Sequence, residues 1–296
     1  MIKRLLIVGV AVLTLSVQLA DATRFGNRPR RGRCGDNSGW ALGFFRFGGL
    51  EVVGLTADHR LICFDEAVPS TGRDIGAITN LSGDSRLVGI DFRPATGDLY
   101  GLGNAGGIYT INVQTAEATF QSQLNVALDG TTFDVDFNPT VDRLRIISDL
   151  GQNLRANVDT GMTTEDFDLV YPAPTPTPGS GVSGAAYTNN DLDATTATTL
   201  FDIDATMDQV VIQSPPNNGS LAATGKLGID AVGDVGFDIY SVVRAGKTQE
   251  VRGFAALTTD RARFYRVNLL TGRVSYRGTF NQSQQVTDIA LPLNQF

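Results

Sequence analysis

The sequence holds one histidine, two cysteines, one tryptophan and three methionines in 296 residues. With His59 alone, a multi-histidine zinc or iron site is impossible, and a Cys/His site could draw only on His59, Cys34 and Cys63. A Ser-His-Asp triad could likewise use only His59, which lies in a predicted turn with no Gly-x-Ser-x-Gly elbow to accompany it. Basic residues are outnumbered, 24 Lys and Arg against 31 Asp and Glu, and form no domain-sized patch, so nucleic acid is not expected as a partner. Beyond residue 19 no apolar run approaches the length of a membrane span. Helical periodicity is missing as well, and 33 glycines with 11 prolines point to many turns.

The one long apolar run, Leu5 to Leu19, follows Lys3 and Arg4 and precedes the small-residue site Ala20-Asp21-Ala22. That order predicts a signal peptide over residues 1–22 and a secreted, extracellular protein with no membrane span after cleavage. Cleavage would remove Lys3, Arg4 and Asp21, taking the formal charge from −7 to −8. Residues 23–50 then form an Arg/Gly-rich N-terminal extension, in which Arg28-Pro29-Arg30-Arg31 has the dibasic form cut by furin-like proteases. In an oxidising compartment Cys34 and Cys63 are expected to form a disulfide that ties this extension to the first repeat. Asn80, Asn218 and Asn281 head Asn-x-Ser sequons, whereas Pro139 disqualifies Asn138.

Residues 51–296 repeat. Strand anchors Phe92, Phe137, Tyr187, Ile239 and Ile289 stand 45, 50, 52 and 50 residues apart, a period that suits a four-stranded unit. Second strands are expected at Leu99-Tyr100, Leu144-Arg145, Leu200-Phe201 and Phe254-Ala255, and third strands near Ile108, Asn153, Gln209 and Phe264. The third strands end in Asn112-Val113-Gln114-Thr115-Ala116, Asn157-Val158-Asp159-Thr160-Gly161 and Asn268-Leu269-Leu270-Thr271-Gly272. Asn can bond the backbone two residues on, and Gly accepts the positive φ that closes the hairpin. Val52-Val53-Gly54-Leu55 matches a second strand with no first strand before it, while Val286 to Leu291 matches a first strand with nothing after it. The C-terminal strand therefore completes the first unit, giving an all-β fold, a β-propeller of five four-stranded blades. Tyr171 to Gly179 reads as an extended Pro-rich loop.

Residues 53–291 resemble a secreted family known as a domain of unknown function, numbered 4394. The resemblance rests on Gly54-Leu55-Thr56-Ala57-Asp58, Gly89-Ile90-Asp91-Phe92-Arg93-Pro94, Asp136-Phe137-Asn138-Pro139, Asp142-Arg143-Leu144-Arg145, Gly151-Gln152-Asn153-Leu154-Arg155 and Ala185-Ala186-Tyr187-Thr188-Asn189-Asn190. The family brings no assigned activity or catalytic residues. The Arg-rich extension with Cys34 departs from it.

Gly101-Leu102-Gly103-Asn104-Ala105-Gly106 matches the dinucleotide fingerprint, but a strand rather than a helix follows, so it is a false match. Asp202-Ile203-Asp204-Ala205-Thr206-Met207-Asp208 lacks the glycine and terminal glutamate of a calcium loop and reads as a strand end and turn. Asp91, Asp136, Asp238 and Asp288 recur at equivalent first-strand positions, with Ala186 breaking the set. They are the candidate metal ligands, and calcium on oxygen is the metal this composition allows; no other cofactor is called for. Recurrence in the repeat favours a packing role, each carboxyl meeting the backbone of a neighbouring blade. Asp136 is expected opposite Arg145, with Arg155 one strand further out, as a candidate binding cluster. No catalytic residue is assigned. The expectation is a monomeric secreted propeller that binds or scaffolds an extracellular glycan or protein; the alternative is a propeller hydrolase, a glycosidase with two axial carboxylates or a calcium-assisted lactonase.

Overall fold

The computed structural model describes residues 49–191, 196–244, 247–293 and 295. Cys34, the basic extension to residue 48 and the signal sequence lie outside the described residues.

Five four-stranded antiparallel sheets follow one another along the chain. Blade 2 comprises β4 (Leu87–Phe92), β5 (Leu99–Gly103), β6 (Gly107–Ile111) and β7 (Ala118–Gln123). Blade 3 comprises β8 (Phe133–Asn138), β9 (Arg143–Ser148), β10 (Asn153–Ala156) and β11 (Thr163–Glu165). A short ribbon, β12 (Val170–Tyr171) with β13 (Thr177–Pro178), occupies the Pro-rich stretch predicted to be a loop. Blade 4 follows as β14 (Val182–Tyr187), β15 (Leu200–Asp204), β16 (Gln209–Gln213) and β17 (Leu221–Lys226). Blade 5 is β18 (Val235–Arg244), β19 (Lys247–Thr258), β20 (Ala262–Val267) and β21 (Val274–Thr279).

Blade 1 is made from both ends of this array. β1 (Glu51–Thr56), β2 (Arg60–Asp65) and β3 (Arg73–Ala77) lack an innermost strand, and β22 (Val286–Ala290) supplies it. Val53 faces Ala290 and Gly54 faces Ile289 across the seam. Without β22 the inner edge of β1 would present unpaired N–H and C=O groups.

The inner strands β4, β8, β14, β18 and β22 pack against one another in a ring, and hydrophobic clusters fill the wedges between neighbouring blades. The wedge between blades 5 and 1 is the most aromatic. Phe64 meets Phe264 edge-on at 5.0 Å and Phe280 at 5.1 Å, while Phe254 stacks on Phe264 at 5.5 Å. Leu50, just before β1, is buried in the same cluster. Each such ring contributes roughly 1.5–3 kcal/mol by burial, with about 0.5–1.5 kcal/mol more per aromatic pair. The seam on which closure depends is thereby held by packing as well as by strand pairing.

The recurring turns follow their sequence logic. Asn112, Asn157 and Asn268 each accept, through Oδ1, the backbone N–H two residues on. Gly161 and Gly272 close two of the turns at φ of 74° and 72°, and a Cβ on either would sit 1.9 Å from a backbone oxygen of the preceding blade. Ala116 closes the third at φ 59°. Gly101 to Gly106 runs from β5 into a turn and on to β6, so the fingerprint meets no helix; among the described residues there is no α-helix.

Candidate functional site

Side chains alternate between the faces of a strand, so every second residue of an inner strand faces the next blade. On β8 these are Asp134 and Asp136, with Val135 turned back into the wedge with blade 2. Both carboxyls reach β14: Asp134 Oδ2 accepts from Ala185 N at 2.8 Å and Asp136 Oδ1 from Tyr187 N at 3.1 Å. Asp91 on β4 repeats the device, Oδ2 accepting from Phe137 N of β8 at 2.7 Å and Oδ1 from Phe92 N at 2.6 Å. Asp238 on β18 accepts from Leu291 N at 2.6 Å and from Ile239 N. Asp288 on β22 accepts from Ile90 N at 2.6 Å and Ile289 N at 2.7 Å. In blade 4, where Ala186 stands, the link has another chemistry: Asn189 N donates to Ser241 Oγ of blade 5 at 2.9 Å.

These carboxyls are buried and lie on two levels. Asp91, Asp136 and Asp238, from blades 2, 3 and 5, place one oxygen each within 4.8 Å of the others. Asp288 is not among them, a correction to its predicted equivalence: it sits one pleat away and hydrogen-bonds with Asp134 of the non-neighbouring blade 3. Gly236 marks this second level, since a Cβ there would fall 2.5 Å from the Asp288 Cα. Burial, then the repulsion of a neighbouring carboxyl, holds Asp91, Asp134 and Asp136 well above the ordinary carboxyl range. Burial does the same at Asp288 and pushes Asp238 up to about 7.

Calcium takes six to eight oxygen ligands at about 2.3–2.6 Å. The level of Asp91, Asp136 and Asp238 offers three convergent carboxyls, each already accepting at least one backbone N–H. These residues could contribute to a cation site but supply only part of its shell. Protons neutralise the same group without further ligands.

The expected cluster of Asp136, Arg145 and Arg155 is assembled differently. Asp136 does pair with Arg145, and Arg145 with Arg155, in strand register. The Arg145 guanidinium, only 1% exposed, nevertheless turns to Asp166 at 2.8 Å, with Asn153, Asn217 and the Tyr187 hydroxyl as further partners. Arg155 shares Asp166 at 2.6 Å. A carboxylate after β11 therefore replaces Asp136, whose oxygen is engaged by Tyr187 N. Nearby on β15, Asp202 is fully buried with no hydrogen-bond partner among the described residues; burial raises its pKa and the charge of Arg145 opposes the rise. Asp204 ends the strand and accepts from Met207 N and the Tyr171 hydroxyl, the turn expected of this stretch.

At the end where the inner strands begin, a cleft of about 640 Å³ with mixed polar and apolar walls opens between blades 3, 4 and 5. Thr131, Thr132, Asp149, Ser183, Thr206 and Asp230 line it. Burial works to raise the Asp149 carboxyl, but hydrogen bonds from the Thr131 hydroxyl and from the backbone of Thr131 and Thr132 prevail and hold it below the usual range. His59 lies apart in the β1–β2 turn at φ 62°. Cys63 is buried in β2. Asn80, Asn218 and Asn281 are all exposed, Asn80 and Asn281 in loops and Asn218 at the end of a 3-10 turn, Pro216–Asn218.

Five blades closed by the last strand around an acidic axis make this chain a five-bladed β-propeller. It belongs to the family described as Domain of unknown function (DUF4394), whose sequence model matches residues 60–290. Among solved structures, the Nidogen/Laminin complex matches over 84% of this chain and 100% of that chain, at 11% identity and a TM-score of 0.47. A protein of unknown function from Bacteroides thetaiotaomicron VPI-5482 matches over 83% and 67%, at 13% identity and 0.47. An auxiliary nutrient binding protein from the same organism matches over 75% and 57%, at 14% and 0.39. No curated protein matches the chain by sequence.

Proposed function

We propose that this chain is an exported binding propeller, a scaffold that presents its blade loops to an extracellular glycan or protein. Export rests on the charged, then apolar, then small-residue order of residues 3–22. The observation that carries the binding role is the use made of the axial carboxyls. Asp91, Asp134, Asp136, Asp238 and Asp288 are buried and each accepts a backbone N–H of a neighbouring blade. A hydrolase needs its acid and base beside a substrate. Carboxyls spent on fastening blades serve stability, and the loops at the propeller ends are left for recognition.

The test is a printed glycan array probed with the secreted protein, run beside nitrophenyl glycosides and simple lactones as hydrolysis substrates. Retention of a defined glycan set without turnover is expected. Turnover that disappears in Asp136→Asn, with no glycan retained, would assign the axis to catalysis instead.

A further inference from the structure

The cleft at the start of the inner strands is built by elements distant in sequence. Thr131 and Thr132 lead into β8, Ser180 and Gly181 into β14, and Asp230 to Gly233 into β18. Asp149 comes from the β9–β10 turn and Thr206 from the β15–β16 turn. Its volume of about 640 Å³ falls within the roughly 300–1,000 Å³ of small-molecule sites. Gly181, at φ 95°, draws two of its walls together: a Cβ there would lie 2.0 Å from Thr206 Oγ1.

Two features of the lining select a ligand. Ser183 belongs to the lining and is 2% exposed, and its Oγ, buried at the wall, has no hydrogen-bond partner among the described residues. Buried polar groups are ordinarily satisfied, which makes this hydroxyl a mark of something received there. The charge of the lining is the second feature. Asp149 and Asp230 line the cleft and no Lys, Arg or aromatic residue does. A phosphate or uronate would meet carboxylates with no cation in the wall, and a flat aromatic ligand would find no ring to stack on. A ligand that combines several hydroxyls with positive charge meets both conditions.

We propose that this cleft binds a short oligomer of cationic amino sugars, its hydroxyls engaging Ser183 and Thr206 and its ammonium groups meeting Asp149 and Asp230. The assignment rests on the binding-propeller reading and names the ligand class of one site within it. Titration calorimetry with a glucosamine tetramer, its N-acetylated counterpart and a galacturonate tetramer tests it. The glucosamine tetramer is expected to bind, the N-acetylated form at least tenfold more weakly, and the galacturonate tetramer not at all. Asp230 is exposed, so Asp230→Asn should leave the melting temperature unchanged while weakening glucosamine-tetramer binding tenfold or more. Ser183→Ala should weaken it without unfolding the chain, because no internal bond is lost. Galacturonate binding as tight as glucosamine binding, no binding of the glucosamine tetramer, or indifference to both substitutions would overturn the proposal. The glycan array on the same protein separates the two levels: retention of other glycans keeps the binding propeller and discards only this site, whereas a blank array with turnover that disappears in Asp136→Asn discards both.

Discussion

A buried carboxyl that accepts a backbone N–H from the next blade costs stability when it is removed, because the donor it served is left in a dry wedge. Asp91→Ala, Asp136→Ala and Asp238→Ala should each lower the unfolding free energy by about 1–3 kcal/mol in denaturant titrations, with ligand binding kept wherever the fold is kept. Little change at all three positions would remove the fastening role. Asp91, Asp136 and Asp238 converge on one another as well as fastening neighbouring blades, and Asp288 does not join them. The reason is the period of a strand: a two-residue slip keeps a side chain on the same face, so spacing alone could not separate position 288 from 290. Asp134 went unassigned although Asp134-Val135-Asp136 carried the signal, two acids spaced to share one face. Arg145 was legible as a register partner of Asp136, but its long side chain reaches past that position to Asp166. No motif in the loop after β11 announces that partner.

Strands and turns were the most readable level. Asx turns at Asn112, Asn157 and Asn268 rest on a local bond, so five residues were enough to place them. The ribbon β12–β13 was not readable, since its two-residue strands are set by pairing across a Pro-rich loop rather than by periodicity. Closure is the element on which the fold turns. Deleting Gln285 to Phe296 would strip β1 of its partner and the phenylalanine seam of Val286, Ile289 and Leu291. The truncated protein should unfold or aggregate in size-exclusion chromatography and light scattering, whereas unchanged melting would contradict the pairing. A covalent element is expected beside this closure, a Cys34–Cys63 disulfide contributing roughly 3 kcal/mol in the chain-entropy model. Quantitative thiol titration in denaturant of protein taken from its native secretion route should find neither cysteine free, and two reactive thiols would reject the bond.

Across the molecule the repeat spacing and the unmatched strand at each end were sufficient to place all five blades and their closure. The cleft was not legible in the same way, because its lining comes from loops up to some 100 residues apart that only the closed ring brings together. What the ring does impose on the whole molecule is a linkage to pH. The axial carboxyls bind protons more tightly folded than unfolded, their affinity raised from an ordinary value of 3.8 and reaching about 7 at Asp238. Between those values the folded state holds more protons than the unfolded one, so stability is greatest at the acid end and falls as pH rises. The most direct test is denaturant unfolding from pH 4 to 8, with and without a calcium chelator, on the wild-type protein and Asp136→Asn. Stability that declines with rising pH, a shallower decline in the variant and indifference to the chelator are expected; a wild-type protein stabilised toward pH 8 by stoichiometric calcium and undone by the chelator would contradict the account.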